Sequence, residues 1–341
     1  MVVFTCAGLK HPLFLPPESS SLLLPRLGRP AMATSVRIVI VGDVHDDWDL
    51  KEDSNALHLL QPDLVLFTGD FGNENVELVR SISNLDFPKA AILGNHDCWG
   101  TYDFQQKKET LVQLQLEALG KQHVGYSRLD MPVLKLSVVG GRPFSSGGDK
   151  IFRPKLLSQR YGVRNLEESK KKIINAALGA PDGHSLIFLA HNGPSGLGSK
   201  IDDICGKDWV FGGGDHGDSD LAQALLELRS KQLPIPLVVF GHMHKGLAYG
   251  GLRKMIVVGA DGTIYLNGAI VPRVKNLHGR AGSSKTNNEL HPEVRNEDGT
   301  VRAFSVVDIE KGRVKKISET WILVTSKRTA LEQENILFQR P

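Results

Sequence analysis

Five short stretches of this chain carry residue types suited to holding metal ions. They are Asp43-Val44-His45, Gly69-Asp70, Gly94-Asn95-His96-Asp97, His191 and Gly241-His242-Met243-His244. Each alone is weak: an Asp-x-His triplet arises by chance, and a lone histidine at a strand end is more often a hydrogen-bonded structural residue. Together, in this order and each behind an apolar run, they are poorly explained by coincidence. Neutral imidazoles with a few carboxylates favour Mn, Fe or Zn over Ca, which prefers all-oxygen cages. Two such cations about 3.5–4 Å apart can clamp a phosphate and lower the pKa of a bridging water.

The elements around these residues decide whether they can meet. Val36 to Val41 is a β-branched apolar run that reads as a buried strand delivering Asp43 and His45 at its carboxyl end. Asp63 to Thr68 reads as a second strand ending at Gly69-Asp70, and Lys89 to Leu93 as a third ending at Gly94-Asn95-His96-Asp97. Helical stretches follow, through Leu60 and from Glu74 to Leu85. Strand, polar turn, helix, three times over, is the pattern of an α/β sheet whose chemistry sits at the strand carboxyl ends. Further on, Phe104 to Gly120 reads as an amphipathic helix, Val133 to Gly140 as a strand, and Leu166 to Leu178 as a helix with Lys170, Lys171 and Lys172 on a solvated face. Ser185 to Ala190 is a strand ending at His191. Asp220 to Lys231 is a helix with Asp220 as its N-cap, and Leu237 to Phe240 is a strand ending at Gly241-His242. Strand-like runs continue to Val324, interrupted by a polar Gly/Asn-rich loop from Asn276 to Gly299. The domain is accordingly set at 36–325, with residues 326–341 as a C-terminal tail.

This motif set resembles the calcineurin-like metallophosphoesterase superfamily over roughly Val36 to Val324. The resemblance implies an α/β fold, a four-layer α/β/β/α sandwich around two mixed β-sheets. It also implies that Asp43, His45 and His244 bind a first metal and Asn95, His191 and His242 a second. Asp70 bridges the two, and His96 stands beside the substrate without binding metal. The chemistry suits these roles. A bridging carboxylate must lie between the ions, and a neutral Asn95 oxygen keeps the site net positive for an anionic ester. The leaving alkoxide requires a proton or a cation, and His96 either gives that proton or stabilises the equatorial oxygens. Asp97 either orients the His96 imidazole or is a turn carboxylate.

Departures from the family narrow the subgroup. The Ser/Thr phosphatases carry GDxVDRG where this chain has Gly69-Asp70-Phe71-Gly72-Asn73-Glu74, and purple acid phosphatases need a tyrosinate where Phe71 and Asn73 stand. The motifs resemble the branch with phosphodiesterases and pyrophosphatases. They also resemble an uncharacterised subgroup from photosynthetic organisms, with which the Gly-rich segments around His191 and His216 are compatible. Three residues are candidates for substrate contact. Asn192 opens a Gly-rich loop after His191 that either presents N–H groups to phosphate or merely reverses the chain. His216 lies in a stretch, Gly212 to Asp220, that reads either as a substrate loop or as a solvated lead-in to a helix. Arg142 follows a strand end and is a candidate phosphate contact. Cys98 reads as a packing residue.

Composition excludes some classes. The 341 residues are 41% hydrophobic and 23% charged with a net charge of +3, ordinary for a globular chain and too balanced to favour nucleic acid. No run of about 18 apolar residues suggests a membrane span. Three cysteines without paired spacing fit a reducing compartment. Residues 1–35 hold five prolines, a Ser19-Ser20-Ser21 run and Lys10, Arg26 and Arg29 against Glu18 alone. They read as a transit peptide, chloroplast before mitochondrion, or as an extension of no address on a cytoplasmic protein. The expected activity is hydrolysis of a phosphate mono- or diester. Its rival is a non-catalytic protein-binding scaffold on the same fold, and an intact ligand set favours the enzyme.

Overall fold

The computed structural model describes residues 35–104, 109–277 and 298–340. The reading of the first 35 residues as a transit peptide therefore lies almost wholly outside the described residues, as does most of the polar loop after Asn276. Two sheets are built from strands β1 (Ser35–Val41), β2 (Leu64–Phe67), β3 (Lys89–Ala91), β4 (Arg128–Met131), β5 (Leu136–Gly140) and β6 (Ser185–Leu189). To these are added β7 (Leu237–Phe240), β8 (Ile256–Val258), β9 (Ile264–Asn267), β10 (Val274–Asn276), β11 (Gly299–Glu310), β12 (Arg313–Thr325) and β13 (Thr329–Gln339). The helices are α1 (Leu50–Leu60), α2 (Val76–Ser83), α3 (Leu111–Leu119), α4 (Pro154–Tyr161), α5 (Leu166–Leu178) and α6 (Ser219–Ser230).

One sheet runs β13-β12-β11-β1-β2-β3, with β10 also on β11; the other runs β4-β5-β6-β7-β9-β8. Both are mixed. β1, β2 and β3 are mutually parallel, while β11 joins β1 antiparallel. β5, β6, β7 and β9 are parallel, with β4 and β8 antiparallel at the edges. The parallel strands are short apolar runs such as LVLF and LVVF with every residue buried, the signature of strands covered on both faces.

Strand periodicity divides each central strand between two apolar clusters. Ile38, Ile40, Leu64 and Leu66 of one sheet pack in one cluster with Val138, Ile187, Leu189, Val239 and Leu266 of the other. Their alternates, among them Val39, Val65, Phe67, Phe188 and Val238, cluster with helical Leu57, Val79, Val112, Ile173 and Leu225. Full burial of each such side chain contributes about 1.5–3 kcal/mol. The parallel strands of both sheets are thereby fixed rigidly.

Several expected elements shift. α2 is shorter than the helical stretch expected from Glu74 to Leu85, α3 begins at Leu111 rather than Phe104, and α4 is a helix additional to those expected. α6 has Asp218, not Asp220, at its N-cap position, and Asp220 lies buried inside the first turn. Residues 326–341 are not a free tail. Thr329–Gln339 forms β13, an edge strand paired antiparallel along β12 from Lys316↔Gln339 to Val324↔Thr329. Its middle, Glu332 to Asn335, is polar and exposed, and its apolar residues Leu331 and Ile336 are exposed too, so no run of buried residues marks it as the core strands are marked.

Candidate metal centre

Each motif lies just beyond the carboxyl end of a parallel strand: Asp43 after β1, Asp70 after β2, Asn95 after β3, His191 after β6 and His242 after β7. The centre therefore joins the two sheets. The backbone is strained where donors are presented, with positive φ at His45 (44°), Asp70 (48°) and His242 (66°). Two glycines make room for the donors. A Cβ on Gly94 would lie 2.2 Å from Asp70 Oδ1, and one on Gly241 would lie 2.1 Å from Asp43 Oδ1.

Three donor groups converge, each with ligand atoms within 4.8 Å of one another: Asp43, His45 and His244; Asp70, His191 and His242; and His45, Asp70 and His96. Asp43 is buried, its carboxylate accepting from Thr68 Oγ1 at 3.2 Å and from the His242 amide at 2.9 Å. His244 Nε2 lies 3.6 Å from Asp43 Oδ2 and 3.0 Å from His45 Nε2. Asp70 faces both ways, with Oδ1 3.3 Å from His191 Nε2 and Oδ2 4.0 Å from His45 Nε2. Asn95 Oδ1 lies 3.0 Å from His191 Nε2. His191 Nδ1 lies 2.8 Å from the Thr68 carbonyl, which can only accept, so the N–H is on Nδ1 and Nε2 is turned to the centre.

Electrostatics reflect this crowding. Burial acts to lower the His191 pKa, but the Asp70 carboxylate prevails and pushes it up to about 10. Burial, reinforced by His191, pushes His242 down to about 3. Burial likewise lowers His45, whereas Asp43 raises His244 against burial. Asp70 is held below the usual carboxylate range, because His191 and His242 outweigh the opposing effect of burial. Two carboxylates, four imidazoles and an amide oxygen converging without a resident cation would leave close imidazole nitrogens facing each other. The donor set fits divalent metal.

His96 sits at the rim of this cluster. Its amide donates to Asp70 Oδ1 at 2.9 Å, its Nδ1 lies 2.7 Å from Asn73 Oδ1, and its ring stacks on Trp99 with centroids 4.8 Å apart at 11°. Asp97 does not orient it. That carboxylate is fully buried, its Oδ1 accepting from the Phe71 amide at 2.9 Å and its Oδ2 from the Gly94 amide at 2.7 Å. Burial, with Asp70 nearby, raises its pKa well above the usual range. Of the two readings of Asp97, the turn carboxylate is the one realised: the short 3-10 turn His96–Cys98 turns residue 97 inward.

The substrate candidates fare differently. Arg142 is fully buried between Asp218 (Nη2–Oδ1 2.8 Å) and Asp220 (Nε–Oδ2 3.1 Å), a structural ion cluster rather than a phosphate contact. Asn192 is also buried, donating to the His216 carbonyl at 2.8 Å and to Asp218 at 3.2 Å. It binds the 212–220 segment to the His191 loop. His216 does reach the centre, its ring 5.7 Å from that of His242 and edge-on to Trp209 at 4.9 Å. Cys98 is buried packing, its thiol pKa pushed up chiefly by burial. Thr68, Asn73 and Trp99 were missed. Asn73 follows Asp70 by three residues, and Trp99 follows His96 by three, which is the available signal.

The calcineurin-like phosphoesterase family matches residues 36–246, more than half of the chain. No curated protein matches. Solved structures with a similar trace include a dimetal phosphatase from Danio rerio at 9% identity, covering 89% of this chain and 99% of that one, with a TM-score of 0.39. A predicted phosphoesterase from Streptococcus pneumoniae is 11% identical, covering 91% and 100%, at 0.30. PhoD is 10% identical, covering 91% and 73%, at 0.41. The chain belongs to the calcineurin-like phosphoesterase family, hydrolases of phosphoric esters.

Proposed function

We propose that this protein hydrolyses a phosphate mono- or diester at two divalent cations. Asp43, His45 and His244 hold one, Asn95, His191 and His242 the other, and Asp70 holds both. The observation that carries the reading is the two-faced Asp70, whose oxygens address the His191 and His45 sides separately. When bound, the cations supply Lewis-acid stabilisation of the phosphoryl oxygens and lower the pKa of the attacking water. Asp43 is aligned by Thr68 and the His242 amide, and His191 by the Thr68 carbonyl, so the donors are oriented before substrate arrives. Asn73 accepts from His96 Nδ1, so it is the doubly protonated ring that delivers its Nε2 proton to the departing alkoxide, leaving the neutral Nδ1–H imidazole.

Chelation should abolish hydrolysis of nitrophenyl phosphates and Mn²⁺ should restore it. With Phe71 and Asn73 where a tyrosinate would stand, the loaded protein should be colourless in the visible. Hydrolysis that persists after exhaustive chelation, with metal analysis reading zero, would remove the metal-dependent reading.

A further inference from the structure

The four tryptophans occupy two kinds of environment. Trp48 donates to Ser81 Oγ at 3.0 Å, and the buried Trp321 donates to Glu319 Oε1 at 3.0 Å. Trp99 and Trp209 are instead 51% and 49% exposed, and each stands against a histidine at the metal centre. Trp99 is the closer to the chemistry, lying parallel to His96.

Its segment is pinned. The Gly100 and Thr101 amides donate to Glu74 Oε1 at 2.8 and 2.6 Å. The Cys98 and Trp99 carbonyls accept from the Arg153 guanidinium, which lies 3.9 Å from the centroid of the Tyr102 ring. Tyr102 is itself 66% exposed. His96 stacks on the indole and Phe152 lies tilted 6.4 Å from it, and about half of the Trp99 side chain still stands open to solvent beside His96. Where His96 gives its proton to the leaving oxygen, the alcohol half of the ester is brought beside this ring.

We propose that Trp99 is a specificity-determining residue that stacks on a planar ring in the leaving group, so that the preferred substrate is an ester of a nucleoside or other ring-bearing alcohol. This rests on the phosphoesterase reading. Stacking of a base on an aromatic side chain changes binding by roughly tenfold or more.

The test compares adenosine 5′-monophosphate with ribose 5-phosphate on the full, Mn²⁺-loaded chain. Both release the same type of primary alcohol, and only the first carries a base. The nucleotide is expected to be favoured at least about tenfold in kcat/KM and in calorimetric affinity. Trp99→Ala should collapse that ratio, whatever it does to the rate common to both, and Trp99→Phe should restore most of it. Equal values for the two compounds, or a ratio untouched by Trp99→Ala, would overturn the proposal. If the loaded protein hydrolyses neither compound nor any nitrophenyl phosphate, the phosphoesterase reading fails instead. The calorimetric ratio still decides the stacking role in that case.

Discussion

The His96 imidazole is held from behind by Asn73, whose amide oxygen lies 2.7 Å from Nδ1. A carboxylate there would have placed a negative charge behind the ring; an amide fixes the tautomer and direction alone. His96→Ala should keep both metals and slow turnover by about 10²–10⁴-fold on alkyl esters, less on nitrophenyl esters. Asn73→Ala should follow the same leaving-group trend with a smaller loss. Metal analysis beside the two rates checks this. If His96→Ala empties the centre, His96 is a ligand, as its grouping with His45 and Asp70 geometrically permits.

Asp70→Asn removes the charge that faces both histidine groups. Metal content and activity should fall together, by contrast with His96→Ala. Elemental analysis of the purified variant is the readout. Retention of two ions per chain would show that Asp70 is not shared.

Cation binding should release protons. Asp70 pushes His191 up to about 10, so in chelator-stripped protein its imidazole is charged at neutral pH. A cation can only take Nε2 after that proton leaves. Affinity should therefore rise with pH, by about tenfold per unit between pH 6 and 8 for one displaced proton. His242, pushed down to about 3, is already neutral there and adds nothing, whereas His244, raised by Asp43 against burial, adds to the count and steepens the rise. Calorimetry in buffers of different ionisation enthalpy counts the protons. A count of zero at pH 7 would contradict the His191 assignment.

Arg142→Met should leave Asp218 and Asp220 buried without their cation. Breaking a buried pair in this way costs about 3–5 kcal/mol. The urea midpoint should drop sharply. A stable variant with a raised KM would instead mean that Arg142 reaches substrate.

A chain beginning at Thr34 should keep its stability and hydrolysis, since β1 opens at Ser35 and pairs with β11 from its first residue. A lowered melting temperature would show that the preceding residues pack on the domain and do not form a removable leader.

The residues that meet at the candidate centre are legible in the sequence. Strand carboxyl ends are legible as apolar runs broken by Gly-Asp, Gly-Asn-His-Asp and Gly-His-x-His. Parallel strands buried on both faces write themselves as such runs. The all-buried burial of β2 and β7 accords with that reading. Where side chains turn once they leave a strand is set by partners distant in the chain. Asp97 and Arg142 are polar residues beside the motifs, and nothing local distinguishes a catalytic partner from a buried clasp. The fold settles it by bringing the Phe71 amide to one and the α6 carboxylates to the other, across 26 and more than 70 residues. β13 escaped notice for the complementary reason. An edge strand needs only one partner ladder, so β13 can carry the polar stretch Glu332 to Asn335 and exposed Leu331 and Ile336, and its pairing with β12 runs along the backbone rather than along a buried apolar run.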